Sequence, residues 1–292
     1  MDGFSAAAGL LPPELRRAVL ALGEDSRALC EELRLRRGRE AAALLAGREY
    51  GLGTGPVTER DLRAVLEAAT GASLHAAGQQ LRRGFLSAPG GVRVGVCGTA
   101  VWGPTGMEGV REISSLAVRV PRAAPGCADS IWSALTAGGF RSVLVVSPPG
   151  GGKTTLLREL VRRLSLDGVR VAVADERGEI ADAWSGAPGF DVGPCTDVLT
   201  GAPKTQAVGL LLRAMNPRAV AVDEVGDARE AAALLEAAAG GVTILATAHG
   251  ARDRPFGGPC RTLLEAGVFR RRVWIACRDG VRRYAVEDIP CG

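Results

Sequence analysis

Four short apolar runs, Ser142-Val-Leu-Val-Val146, Val169-Arg-Val-Ala-Val-Ala174, Ala219-Val-Ala-Val222 and Val242-Thr-Ile-Leu-Ala-Thr247, alternate in the second half of the chain with segments of helical apolar spacing. Strands this apolar are buried on both faces, and their alternation with helices predicts an α/β fold: a mainly parallel sheet with helices on both faces. The helices are predicted over Thr155–Leu164, Ala202–Met215 and Ala228–Ala239. Arg272–Cys277 and Val281–Val286 then read as a C-terminal hairpin about Asp279-Gly280, a strong turn signal.

The first half has a different rhythm. Pro12-Pro13 opens a helix whose Leu15, Val19 and Leu22 share a face, and Leu33 and Leu35 alternate with charge in a strand. Thr58-Glu-Arg-Asp61 resembles a capping box and is followed by the amphipathic positions Leu62, Val65, Leu66 and Ala69. Gly84–Cys97 reads as a hairpin about Pro-Gly-Gly. Arg111–Val120 leads to a linker at Pro121–Gly126, then a helix near Ala128–Ala137 and a Gly138-Gly139 break. The expected organisation is a smaller N-terminal mixed α/β domain with its linker over residues 1–137 and a second domain over residues 138–292.

Between the first apolar run and its helix lies Ser147-Pro-Pro-Gly-Gly-Gly-Lys-Thr-Thr155. A glycine-rich turn between strand and helix, ending in Lys-Thr, is the arrangement that cradles phosphates, so the residues from Pro148 and Pro149 to Thr155 are expected to surround ATP. Gly150, Gly151 and Gly152 let backbone N–H groups approach an anion, and the helix points its positive end at it. Lys153 is one of two lysines among 36 basic residues. Its compact ammonium fits between β- and γ-phosphate oxygens, where a planar guanidinium would fork. Thr154 would place a hydroxyl on Mg2+. The first glycine usual in this motif is Ser147 here. A glycine-rich turn that binds nothing is the plainer alternative, and the order strand, loop, Lys-Thr, helix speaks against it.

In doubly wound sheets, ligands gather at the carboxyl ends of the strands. Asp223 and Glu224 end the third run; Asp223 is expected to hold Mg2+ through water and Glu224 to polarise the attacking water. His249, in Thr247-Ala-His-Gly, either senses the γ-phosphate or orients water, although a lone histidine is more often structural. His75, inside an expected helix, reads as a packing or surface residue. Glu176, in Asp175-Glu-Arg, supports metal or water, or belongs to an ion-pair network. Charge developing on the γ-phosphate also needs cations, often from a neighbouring subunit, and Arg213, Arg93, Arg111 and Arg119 are all candidates.

With 292 residues, 47% of them hydrophobic, the chain has room for two cores. Its seven cysteines form no C-x-x-C pair, and the odd number argues against a complete disulfide framework. They read mostly as small buried hydrophobes in a reducing cytoplasm. The N-terminus lacks the pattern of a signal peptide, and no run of ~18 apolar residues predicts a membrane span. Any membrane association is therefore expected through a partner or a surface. The net charge of +4 is mild. Clusters at Arg34–Arg39, Arg82-Arg83 and Arg270–Arg272 suit nucleic acid, anionic lipid or acidic partners, or are simply solvated faces. With 4% aromatics, a single-strand stacking platform is disfavoured.

Several segments together resemble the stage III sporulation protein AA family, relatives of the type II and type IV secretion ATPases in the RecA-like class. They are Ser147–Arg158, Asp175–Ile180, Asp191–Leu199, Ala202-Pro-Lys204, Leu212-Arg213 through Gly226, and Ala248-His-Gly250, with Arg83-Gly-Phe, Pro89–Gly95 and Glu112–Leu116 upstream. The resemblance implies a RecA-like P-loop ATPase of the mother-cell cytoplasm, a homo-hexamer with ATP sites between subunits. It also implies docking on membrane proteins of the channel that links mother cell to forespore. A nucleic-acid-dependent ATPase and a nucleotide-gated scaffold with negligible turnover are the competing readings.

Overall fold

The computed structural model describes residues 2–71, 84–104, 106–121, 123–182, 188–252, 256–278 and 281–290. These fall into two compact units that divide between Ala123 and Ala124, with Pro188 and Gly189 grouping with the first. None of the described helices is long and apolar enough to cross a membrane.

The first unit contains α1 (Gly3–Gly9), α2 (Pro13–Leu20), α3 (Glu24–Leu29), β1 (Cys30–Arg36), β2 (Glu40–Leu45), β3 (Arg48–Pro56), α4 (Glu59–Thr70), β4 (Phe85–Ala88), β5 (Val92–Gly103) and β6 (Gly106–Arg119). Its strands form one antiparallel sheet in the order β3-β2-β1-β6-β5-β4. The alternation at Leu33 and Leu35 sets the register: they lie opposite Val118 and Leu116, and all four are buried. The capping box of α4 closes from both sides. Asp61 N donates to Thr58 Oγ1 at 3.2 Å, and Thr58 N donates to Asp61 Oδ2 at 2.8 Å. Leu62, Val65 and Ala69 then face the core.

The second unit contains α5 (Asp129–Thr136), β7 (Val143–Ser147), α6 (Lys153–Leu166), β8 (Val171–Asp175), β9 (Thr196–Thr200), α7 (Lys204–Met215), β10 (Ala219–Val222), α8 (Ala228–Ala239), β11 (Thr243–His249), α9 (Gly258–Glu265), β12 (Arg271–Arg278) and β13 (Val281–Asp288). The sheet order is β13-β12-β7-β11-β10-β8-β9, parallel throughout except for the β12–β13 hairpin. Successive side chains on a strand point to opposite faces, so each apolar run feeds two cores. Val143, Val145, Val171, Val173, Ala219 and Ala221 pack with α5 and α6, whereas Leu144, Val146, Ala172, Ala174, Val220 and Val222 pack with α7, α8 and α9. The helix expected to close the N-terminal domain thus belongs to the second unit as α5, because Ile131 and Leu135 are buried in that core.

The cysteines depart from expectation. Cys30 and Cys260 are buried, Cys127 and Cys195 half-buried, but Cys97 and Cys277 are exposed. Cys97 lies where the β5–β6 ladder shifts register, and beyond it β5 faces solvent. Burial pushes the Cys260 thiol up to about 11, so it stays protonated at neutral pH.

Candidate functional site

β7 ends at Ser147, which is fully buried and donates its hydroxyl proton to Pro148 O at 2.9 Å. The chain then turns through Gly150 and Gly152 at φ 73° and 99°, a region that strains any L side chain. Gly151 is required for space, because a Cβ there would lie 2.2 Å from Ser147 Oγ. Pro148 and Pro149 are exposed on the loop. As N-cap of α6, Gly152 supplies no side-chain acceptor, so the first amides of the helix have no capping side chain. Thr155 is half-buried in the first turn. Lys153, also buried, donates from Nζ to Ser147 O and Pro148 O at 3.3 Å each and to His249 Nδ1 at 2.9 Å.

The sheet order brings the distant candidates to this loop. β11 lies between β7 and β10, with His249 opposite Ser147 and Ala246 opposite Val222. The ends of three neighbouring strands therefore meet. Thr154 Oγ1 donates to Asp223 Oδ2 at 3.2 Å, and Thr247 Oγ1 donates to Asp223 Oδ1 at 2.7 Å while accepting from Glu224 N at 3.0 Å. His249 Nε2 lies 3.0 Å from Glu224 Oε2. An ammonium only donates, so the Lys153 contact makes Nδ1 the acceptor and assigns the imidazole proton to Nε2, facing Glu224. Lys153, His249 and Glu224 form one chain of hydrogen bonds, beside the Thr154–Asp223 pair. Burial pulls the Lys153 pKa below the ordinary lysine value, against the opposing charges of Glu224 and Asp223.

Glu176 is half-buried and lines a cleft of about 260 Å³ together with Asp175, Asp223, Glu224, Lys204 and Glu230. Asp175, fully buried, accepts from the amides of Glu179, Ile180 and Ala181 and so shapes the loop that carries Glu176. Arg213 is not brought to the cluster. It is exposed near the C-terminal end of α7, nine residues and ~14 Å of helix rise from Lys204. Arg93, Arg111 and Arg119 lie on β5 and β6 of the first unit, where Arg119 pairs with Glu32 at 3.0 Å and Arg93 rests over the Phe85 ring. Of the arginine clusters, Arg34 and Arg36 pair with Glu32 and Glu49, and Arg271 and Arg272 with Asp288 and Glu287. His75 and Arg82-Arg83 fall outside the described residues.

Two contributors escaped the sequence reading. Thr247 serves Asp223 and Glu224 through one hydroxyl, and the second lysine, Lys204, reaches the backbone carbonyls of both. A threonine inside an apolar strand carries no motif, but the scarcity of lysine was a usable signal for Lys204. The donor set suits a hard divalent cation with a polyphosphate: one hydroxyl, one carboxylate, and loop amides opposite an ammonium. Among the described residues no cluster of three or more His, Cys, Asp or Glu ligands occurs.

Comparison with solved structures finds this fold in a pilus retraction motor and in an ATPase. The pilus retraction motor PilT, solved with bound ADP, matches with a TM-score of 0.60 at 14% identity, over 92% of this chain and 82% of that one. The ATPase DotB of Legionella pneumophila matches at 0.55 and 19%, over 90% and 77%. The fold is thus the RecA-like one of these proteins. Among curated sequences, Stage III sporulation protein AA of Bacillus subtilis (strain 168) is 32% identical over 249 residues, 83% of this chain and 80% of that protein. Protein SEEDLING PLASTID DEVELOPMENT 1 of Arabidopsis thaliana is also 32% identical, over 54% of this chain but only 23% of its own length. The model of the family "Sporulation stage III, protein AA" matches residues 7–280, and the chain belongs to that family.

Proposed function

We propose that the chain is a Mg2+-dependent ATPase that hydrolyses ATP to ADP and phosphate. Turnover would drive assembly or transport at the channel complex between mother cell and forespore. The observation that carries the reading is the linked set Lys153–His249–Glu224 beside Thr154–Asp223, built on three strand ends. Loop amides and Lys153 hold the β- and γ-phosphates, and Glu224 takes a proton from the attacking water as its oxygen bonds to the γ-phosphorus. The bond from that phosphorus to the bridging oxygen breaks, and its electron pair leaves with ADP. Thr154 and Asp223 would hold Mg2+, which would supply charge neutralisation at the phosphate oxygens. His249 touches both Lys153 and Glu224, so it couples phosphate occupancy to the base. A homo-hexamer docked on membrane proteins of the channel, in the mother-cell cytoplasm, belongs to the same reading. Arg213, exposed and remote from its own chain's cluster, serves in it only across a subunit boundary.

Phosphate release by the purified chain, measured with Mg2+ and with EDTA, tests the activity. Saturable turnover that needs Mg2+ is expected; no turnover at millimolar ATP and Mg2+ overturns it. The Lys153 shift adds a pH dependence. The ammonium grips phosphate only when protonated, so ADP affinity should weaken as pH rises, beginning below the ordinary lysine pKa of ~10.4. The same titration of Lys153→Arg, whose guanidinium stays charged, should lack that decline. Calorimetry at several alkaline pH values reads both.

A further inference from the structure

We infer that Lys204 is a positioning residue that aims the Asp223–Glu224 pair by holding the backbone beneath it. The inference rests on the ATPase reading above. Lys204 opens α7, with its side chain 14% exposed, and its ammonium has three acceptors within reach. These are Asp223 O at 3.4 Å, Glu224 O at close range, and Glu230 Oε2 at 3.3 Å. Two N–H bonds of the ammonium go to the carbonyls, and the Glu230 carboxylate adds an ion pair.

Glu230 answers from the other side. Its Oε2 accepts Gly226 N at 2.6 Å, and Asp227 caps α8 through the amides of Arg229 and Glu230. Glu224 itself is held at both backbone ends, by Thr247 on its amide and by Lys204 on its carbonyl. The turn from β10 to α8 is short and strongly acidic, and a loop of this kind has no helix or ladder bonds to fix it. With the backbone held at both ends, the Glu224 side chain is directed to His249 and that of Asp223 to Thr154.

Two further observations single out this lysine. The chain contains 34 arginines and two lysines, and both lysines lie at this site. A cation in the first turn of a helix also opposes the helix dipole, and α7 carries no acidic residue there to offset it. A helix-stability role would favour the opposite charge. Gathering two carbonyls and one carboxylate oxygen around a point requires a compact ammonium; a planar fork cannot converge on them.

The test uses the full chain and the variants Lys204→Met and Lys204→Arg, with steady-state turnover, ATP affinity by calorimetry and thermal melting. Lys204→Met is expected to lower kcat by ~10²-fold, the effect of roughly 1 Å of misplacement, with ATP affinity and melting temperature nearly unchanged. Lys204→Arg, which keeps the charge without the geometry, should recover only part of the loss. Because Lys204 acts in part through Glu224, adding Lys204→Met to Glu224→Gln should lower turnover by much less than the product of the two single losses. Wild-type kcat in Lys204→Met overturns the assignment alone. An equal fall in affinity or melting temperature also overturns it, in favour of a binding or structural role. Absence of turnover in the unaltered chain overturns the ATPase reading and this assignment with it.

Discussion

Glu224→Gln is expected to lower ATP turnover by ~10²–10⁴-fold while nucleotide affinity stays nearly the same. The amide cannot take a proton from water at neutral pH, so the loss falls on the chemical step. It is nonetheless isosteric, and its oxygen still accepts from His249 Nε2, which lies 3.0 Å from the carboxylate in the native chain. The backbone bonds of Glu224 to Thr247 and Lys204 are untouched. Single-turnover phosphate release beside calorimetry separates the two effects. Turnover at the native rate would remove Glu224 from the role of base and pass it to another carboxylate of the cleft, which Asp175, Glu176, Glu179, Asp223 and Glu230 also line.

Lys153→Met is expected to abolish turnover and to weaken ATP binding by at least ~10²-fold, the equivalent of about 3 kcal/mol for charge-assisted bonds to two phosphates. Its effect on the folded chain runs the other way. The native ammonium is buried and its pKa is depressed, so the fold holds that charge at a disadvantage. Methionine fills a similar volume with no charge to desolvate. Its melting temperature should therefore match or exceed that of the native chain. Loss of binding with retained or improved stability is the mark of a residue kept for its ligand. A variant that melts much lower would instead make Lys153 a structural residue.

The parallel sheet was legible because β7, β8, β10 and β11 are covered on both faces and so have no polar positions to blur them. The first unit was less so. β2 and β3 are built from Ala42-Ala-Leu-Leu45 and the glycine-rich Tyr50–Gly55, compositions with low strand propensity, and they turn at Ala46-Gly47 with φ 47° and 82°. Strand β9, whose residues are mostly half-buried at the sheet edge, and α9, which starts at Gly258-Pro259, carry equally weak patterns. The C-terminal hairpin was legible from its turn, and the capping box at Thr58 from its spacing.

At the site, the loop and the acidic pair were legible because spacing alone defines them. Which strand ends meet was not, since insertion of β11 between β7 and β10 is a property of strand order. That order is what turns His249 from a lone histidine into the link between Lys153 and Glu224. Arg213 shows the converse: a suitable charge in the right stretch of sequence ends at the far end of its helix. Lys204 supports the pair through backbone carbonyls, a role that no residue pattern encodes.

Calorimetric titration of the purified chain with a slowly hydrolysed ATP analogue in Mg2+ tests the central claim most directly. The account predicts saturable binding, one nucleotide per chain, lost in Lys153→Met and retained in Glu224→Gln. No binding to the native chain at millimolar analogue would contradict it.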